Sequence, residues 1–182
     1  IDKIKSSVQN LNNILNDFLS LERLESGHIQ VNSKEITLNE LLLQIKDNFE
    51  HTLKKGQKIT FDFKKDLTIQ SDPHLIQNIV INLVSNAIKY SPDQKPVSVI
   101  TDCDDDEVII KVIDQGIGIP EADQKNLFER FFRAGNVSNI GGTGLGLNIV
   151  KRYLDLLNGK ISFTSKVGEG TTFMIRFPSV LK

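Results

Sequence analysis

Hydrophobic positions at the start of the chain recur every seven residues. Ile1, Val8 and Leu15 form one series, and Ile4, Leu11 and Phe18 form another. Alternating steps of three and four are the signature of a coiled-coil seam. Residues 1–26 are therefore expected to form a helix that pairs with another helix. Ile14, Leu21 and Leu24 widen the stripe, as a helix in a bundle requires. Gly27 is a plausible stop. The plainer alternative is an amphipathic helix lying on its own domain.

Beyond Gly27 the period changes. His28 to Val31 alternates like a short strand. Thr37 followed by Glu40 has the spacing of a capping box and predicts a helix to about Lys54. Residues 59–63 and 67–70 are expected as strands around a Lys64-Lys65-Asp66 turn. Asp72 before Pro73 predicts a helix start. That helix carries Ile76, Ile79, Val80, Leu83, Val84 and Ala87 on one face and stops at Ser91-Pro92-Asp93. Residues 97–103 and 107–114 are expected as strands joined by an acidic turn. Residues 115–142 are mostly irregular, with a short helix at 124–129. A helix over 143–157 closes at Asn158-Gly159, and residues 160–165 and 171–177 form a last hairpin. The pattern predicts a dimerising coiled-coil-type helix, 1–26, and a mixed α/β (α+β) domain with mostly antiparallel strands, 27–182.

Composition narrows the function. A length of 182 residues permits one compact domain with an appendage. Hydrophobic residues at 39% and charged residues at 25% describe a soluble globular chain. A net charge of -1 provides no basic field to gather nucleic acid. The lone Cys103 cannot form an internal disulfide, and no Cys/His cluster suggests zinc, so a reducing compartment is expected. The most apolar stretch, 76–88, is interrupted by Gln77, Asn78, Asn82, Ser85 and Asn86. The chain begins in a helical pattern without Met and is expected to be a piece of a longer protein, whose attachment to a plasma membrane stays open.

The chemistry lies in short polar and glycine-rich signatures. Asn82 and Asn86 are four apart and share one side of a helix. Carboxamides beside so apolar a face need partners, and an Asn oxygen suits Mg²⁺. Lys89 can neutralise phosphate, and Tyr90 can cover a ligand. Asp114-x-Gly116-x-Gly118 follows a strand; its carboxylate can accept an amino proton, and its glycines let backbone approach a flat ring. Gly142-Thr143-Gly144-Leu145-Gly146-Leu147 opens a helix and can cradle an anion. No Gly-Lys-Ser/Thr follows, so it is not a Walker A loop, and its spacing is not the dinucleotide fingerprint. Between the loops, Phe128, Phe131 and Phe132 act as anchors, and Arg130 and Arg133 can reach a terminal phosphate. With Gly135, Asn136, Ser138 and Asn139 after it, this segment is expected to be a mobile lid.

In this order the signatures closely resemble the catalytic ATP-binding domain of sensor histidine kinases. This is the Bergerat fold shared with gyrase, mismatch-repair ATPases and a heat-shock chaperone. The resemblance covers about residues 30–180 and includes the N box, the F box and the glycine boxes, the last at 168–171. It implies a sandwich in which helices cover one face of a mixed sheet. It implies that ATP and Mg²⁺ bind, with Asn86 holding the metal and Asn82 lining the same site. Lys89 would contact phosphate and Tyr90 would sit near the nucleotide. Asp114 would read the adenine amino group, with Gly116, Gly118 and Ile119 beside the ring and Thr171 nearby. Arg130 or Arg133 would approach the γ-phosphate, beside Phe131 of the lid. Gly142, Thr143, Gly144, Leu145, Gly146 and Leu147 would form the phosphate loop.

The resemblance also implies a homodimer through a helical hairpin, of which residues 1–26 would be the second helix. It implies a response-regulator receiver domain as partner and a cytoplasmic location. The acceptor box H-E-x-x-x-P of such kinases does not occur in the sequence, and His28, His51 and His74 sit outside any such pattern. The chain is thus expected to bind ATP without carrying its own acceptor. An ATPase of the same fold is the first rival. Such enzymes place a Glu where Asn82 stands, and a carboxamide is no general base. A nucleotide-binding pseudokinase and a serine-directed kinase of this fold are the others.

Overall fold

Alternating burial builds the sheet, and helical periodicity covers it. In the computed structural model the described residues are 2–27, 29–49, 51–137 and 140–181, apart from the side chains of 2–10 and 13. Ile1, His28, Ser138, Asn139 and the side chains of Ile4 and Val8 lie outside them. The elements run α1 (Asp2–Glu25), β1 (Lys34–Thr37), α2 (Leu38–Asp47), β2 (Ile59–Phe63), β3 (Thr68–Ser71), α3 (Pro73–Tyr90), β4 (Val97–Asp104), β5 (Glu107–Ile113), α4 (Glu121–Gln124), α5 (Gly146–Leu156), β6 (Lys160–Lys166) and β7 (Gly170–Pro178).

The main sheet has the order β2-β4-β5-β7-β6. β2 runs parallel to β4, and every other pairing is antiparallel. Register aligns the apolar positions: Val99 faces Val112, Ile110 faces Ile175, and Phe163 faces Phe173. Because strand side chains alternate between faces, this register lines one face with hydrophobic residues. α3 packs across the sheet, with α2 and α5 against it. Ile76, Ile79, Val80, Leu83 and Val84 are fully buried beneath α3. Full burial of each such side chain contributes about 1.5–3 kcal/mol.

The ends of α3 explain its placement. The Asp72 carboxylate accepts hydrogen bonds from the amides of His74 (2.8 Å) and Leu75 (3.2 Å), and Pro73 fills the first position. Its second oxygen accepts from the Asn32 amide at 2.7 Å, tying the incoming chain to the same point.

Several expectations are corrected. The strands at 59–63 and 68–71 do not pair across the Lys64-Lys65-Asp66 turn: β2 joins β4, whereas β3 pairs antiparallel with β1 in a separate ribbon. β3 runs directly into Asp72 and leads into the start of α3. Residues 29–31 are not a strand; the extended segment is β1, a few residues later. Thr37 does stand at the N-cap of α2, but its side chain makes no cap bond. As the last residue of β1 it pairs with Thr68, and the Leu38 amide is taken by the Leu67 carbonyl at 2.9 Å. α2 ends at Asp47 rather than near Lys54, because Phe49 turns into the core and the chain continues in turns. The lid's short helix lies at Glu121–Gln124, started by Pro120.

α1 meets the domain near its C-terminal end, where Leu21 is buried and Leu24 half-buried. Leu11, Ile14, Leu15 and Phe18 are exposed on it. Replacing the buried helix cap, Asp72→Ala, is expected to lower the unfolding free energy by about 2 kcal/mol in urea denaturation, because the helix amides and the Asn32 amide lose their acceptor together.

Candidate functional site

Helical geometry places the polar edge of α3 in a cleft. Asn78, Asn82, Asn86 and Lys89 lie along one side of the helix, while its opposite side is in the core. The cleft they line has a volume of about 890 Å³, the size that holds a nucleotide-scale ligand. Its far wall is the loop after β5, the segments 127–137 and 140–144 and the start of α5, with Ile14, Asn16, Asp17 and Ser20 of α1 on its border.

At one end sits Asp114, with 8% of its surface exposed. Its Oδ1 accepts from the amides of Gly116 (2.7 Å) and Thr171 (3.2 Å). Its Oδ2 has no hydrogen-bond partner among the described residues and is available to the cleft. Burial pushes the carboxyl up to about 6, although the Gly116 and Thr171 bonds pull it down. Gly118, at φ +67, presses so closely on the β6–β7 hairpin that a Cβ would lie 2.1 Å from the Lys166 carbonyl oxygen. A Cβ on Gly116 would lie 2.6 Å from the Tyr90 carbonyl oxygen. These contacts weld α3, the post-β5 loop and the hairpin into one rigid end. Thr171 shares a 2.8 Å hydroxyl bond with Ser165, whose oxygen also accepts from the Ile119 amide at 2.9 Å.

At the other end lies the glycine loop. The Lys89 ammonium sits against Gly142, where a Cβ would be 2.5 Å away, and 4.8 Å over the Tyr90 ring. α5 begins at Gly146, three residues later than expected, because Gly142 (φ +154) and Gly144 (φ +73) take conformations that no helix contains. The Thr143 hydroxyl accepts from the Leu145 amide at 3.2 Å and donates to the Asp17 carboxylate of α1 at 2.7 Å. Burial raises the Asp17 carboxyl, while Thr143 and the charge of Lys89 lower it. A carboxylate from α1 therefore engages the Thr143 hydroxyl of the glycine loop. Asp17 lies off the heptad seam, so nothing in the sequence pattern singled it out.

The two asparagines differ. Asn82 donates its amide to the Asn78 carbonyl at 2.9 Å and turns its oxygen to the start of α5, 2.9 Å from where a Gly146 Cβ would stand. The Asn86 carboxamide lines the cleft and has no hydrogen-bond partner among the described residues. Among those residues no cluster of His, Cys, Asp and Glu could hold a metal. Asn86 is an unengaged oxygen donor lining the cleft, which fits a cation that takes few protein ligands.

The lid residues separate as well. Arg133 lines the cleft and donates to the carbonyls of Val137 (2.8 Å) and Ile140 (2.5 Å). Arg130 is not brought into the cleft: it pairs with Glu25 of α1, which also lies 3.9 Å from Arg152. Phe131 is 66% exposed at φ +61 and Leu145 is buried; neither lines the cleft, whereas Phe132 and Leu147 do. Sequence reading also missed the struts of the lid, namely Asn136 donating to the Gly118 carbonyl (2.9 Å) and Asp123 accepting from the Gly135 amide (2.8 Å).

This geometry agrees with the comparisons. Residues 71–181 match the sequence model of the histidine kinase-, DNA gyrase B- and HSP90-like ATPases. The chain belongs to this family. Over 91% of its length it is 36% identical to the sensor histidine kinase WalK of Bacillus subtilis, of which it covers 28%. It spans less than half the length of curated relatives such as this one. Full-length ShkA in complex with AMPPNP is similar in fold, with a TM-score of 0.83 at 24% identity, over 100% of this chain and 39% of that one. Histidine kinase ThkA, in complex with the response regulator TrrA, gives 0.77 at 24% identity, over 98% and 50%. The mixed, mostly antiparallel sheet under helices is the fold of these family members.

The raised Asp114 carboxyl has a measurable sign. Its folded-state pKa lies above the ordinary value, so its contribution to stability is present below about pH 4 and is lost as pH rises through about 6. Melting curves from pH 4 to 7 should show the wild type losing stability relative to Asp114→Asn across that window. Parallel curves would contradict the buried, raised carboxyl.

Proposed function

We propose that this chain binds ATP with Mg²⁺ and donates the γ-phosphoryl group to a histidine on a phosphoacceptor helix outside these residues, from which it passes to an aspartate of a response-regulator receiver domain. The observation that carries the proposal is the division of the cleft. A buried carboxylate stands at one end, a glycine loop at the other, and a single helix supplies Asn86 and Lys89 between them. The free Asp114 oxygen suits the adenine amino group. The Lys89 ammonium and the Gly142–Leu147 backbone suit the phosphates. Asn86 would hold Mg²⁺, which when bound neutralises phosphate charge.

In the transfer, the bond from the γ-phosphorus to its bridging oxygen breaks, and ADP leaves with the electron pair. The unprotonated nitrogen of the acceptor imidazole forms the new bond with its lone pair, and the other ring nitrogen gives up its proton to water. This chain contributes positioning and charge rather than covalent chemistry. Arg133, which lines the cleft, would be the arginine that meets the phosphates, since Arg130 pairs with Glu25. Asn82 supports transfer over hydrolysis, since its amide is spent on Asn78 and it has no basic group to activate water.

The exposed stripe of α1 supports its role as half of a dimerising hairpin. No helix among the described residues is long and apolar enough to cross a membrane. A cytoplasmic location follows from the supply of ATP and is part of this reading.

Calorimetry with ATP and Mg²⁺ tests the assignment. Asn86→Ala should weaken ATP binding by about tenfold or more, a loss of about 1.4 kcal/mol, with the circular dichroism of the wild type retained. Unchanged affinity would remove Asn86 from the site. Rapid phosphate release by this chain alone, abolished by Asn82→Ala, would instead favour an ATPase.

A further inference from the structure

A helix leaves its last four carbonyls without partners inside the helix. In α3 those belong to Ala87, Ile88, Lys89 and Tyr90, and each finds a donor. The Ser91 amide takes Ala87 at 3.1 Å, and the Ile117 amide takes Tyr90 at 3.2 Å. The Gln57 side-chain amide takes Ile88 at 3.4 Å. The Lys54 ammonium takes Lys89 at 2.8 Å and reaches on to the Ser91 carbonyl at 2.5 Å.

Lys54 and Gln57 come from one tight turn. The Gln57 amide donates to the Lys54 carbonyl at 3.0 Å, and the Gln57 side-chain oxygen accepts from the Lys54 amide at 3.1 Å. Gly56 takes φ +70 at the third position, as a type II turn requires. The turn is anchored to the segment after α3 by the Gln94 amide, which donates to the Lys55 carbonyl at 3.1 Å. Gln57 and Ser91 are buried and Lys54 is half-buried, so the Lys54 and Gln57 side chains meet these carbonyls largely away from water. A cation here also meets the negative end of the helix dipole.

We propose that Lys54 is a positioning residue for the phosphate end of the site. This rests on the ATP reading above. Lys54 lies outside the cleft and touches no ligand position. It holds the backbone of Lys89 itself, and thereby the aim of the Lys89 ammonium at the glycine loop. Without it, the Lys89 carbonyl in the last turn of α3 and the Ser91 carbonyl just beyond it lose their side-chain donor. That turn then loosens, and the Lys89 side chain loses its direction.

The test is a double-mutant cycle read by calorimetry with ATP and Mg²⁺, on the chain as it stands. Lys54→Met keeps the unbranched side chain up to the position of Cε and removes its donors. In the wild-type background it should weaken ATP binding about tenfold, and Lys54→Arg should restore most of the affinity. In a Lys89→Met background, Lys54→Met should change ATP affinity by less than about twofold, because the group it aims is gone. A role in stability alone would lower the melting temperature and leave the affinity of folded protein unchanged, which would overturn the proposal. Equal losses in both backgrounds would overturn it too. If Lys54→Met does not fold, Lys54→Gln takes its place in the same cycle with the same outcomes. Wild-type chain that binds no ATP would refute the ATP reading instead, which keeps the two failures distinct.

Discussion

The site depends on one helix serving two solvents at once. α3 has to seal the sheet along one face and line a polar cleft along another. A repeat of 3.6 residues permits this because Ile76, Ile79, Val80, Leu83, Val84 and Ala87 fall together, while Asn78, Asn82, Asn86 and Lys89 fall along a neighbouring edge. The helix cannot roll to improve one face without spoiling the other. Its position along the axis is fixed at both ends, by Asp72 at the start and by donors for every terminal carbonyl at the finish. The functional side chains are thus held by the core rather than by loops.

The two ends of the cleft differ in stiffness for identifiable reasons. Around Asp114, backbone meets backbone at distances that only glycine allows, at Gly116, Gly118 and Gly170. On the proposed reading that end would receive the adenine. The glycine-loop end is built from positive-φ glycines and a segment held by side-chain struts to Asp123, Asn136 and Arg133. It is also where α1 intrudes, with Asp17 on Thr143 and Glu25 on Arg130. On the proposed reading, phosphates bound there would compete with Asp17 for the Thr143 hydroxyl.

Much of this was legible in the sequence, because the signals were local. Asp72-Pro73 marked the start of α3, the Asn spacing marked its polar edge, and the glycine motifs marked close approaches. The hidden parts depend on distant pairing. Nothing in residues 59–71 tells that β2 turns to β4 while β3 turns to β1. Thr37-x-x-Glu40 has the form of a capping box, yet the neighbouring strand satisfies the helix start instead. Arg130 and Arg133 are equivalent in the sequence and separate only because Glu25 of α1 claims the first. Lys54 reads as the tail of a helix and becomes the cap of another.

The account's central claim is that the cleft delivers phosphate to a histidine and not to water. The most direct measurement mixes this chain with a separately prepared helical hairpin bearing the acceptor histidine, and with ATP labelled at the γ-phosphate. The account predicts acid-labile label on the hairpin, dependent on Asn86 and Asp114, with little free phosphate. Label appearing as free phosphate at the same rate with or without the hairpin would contradict it.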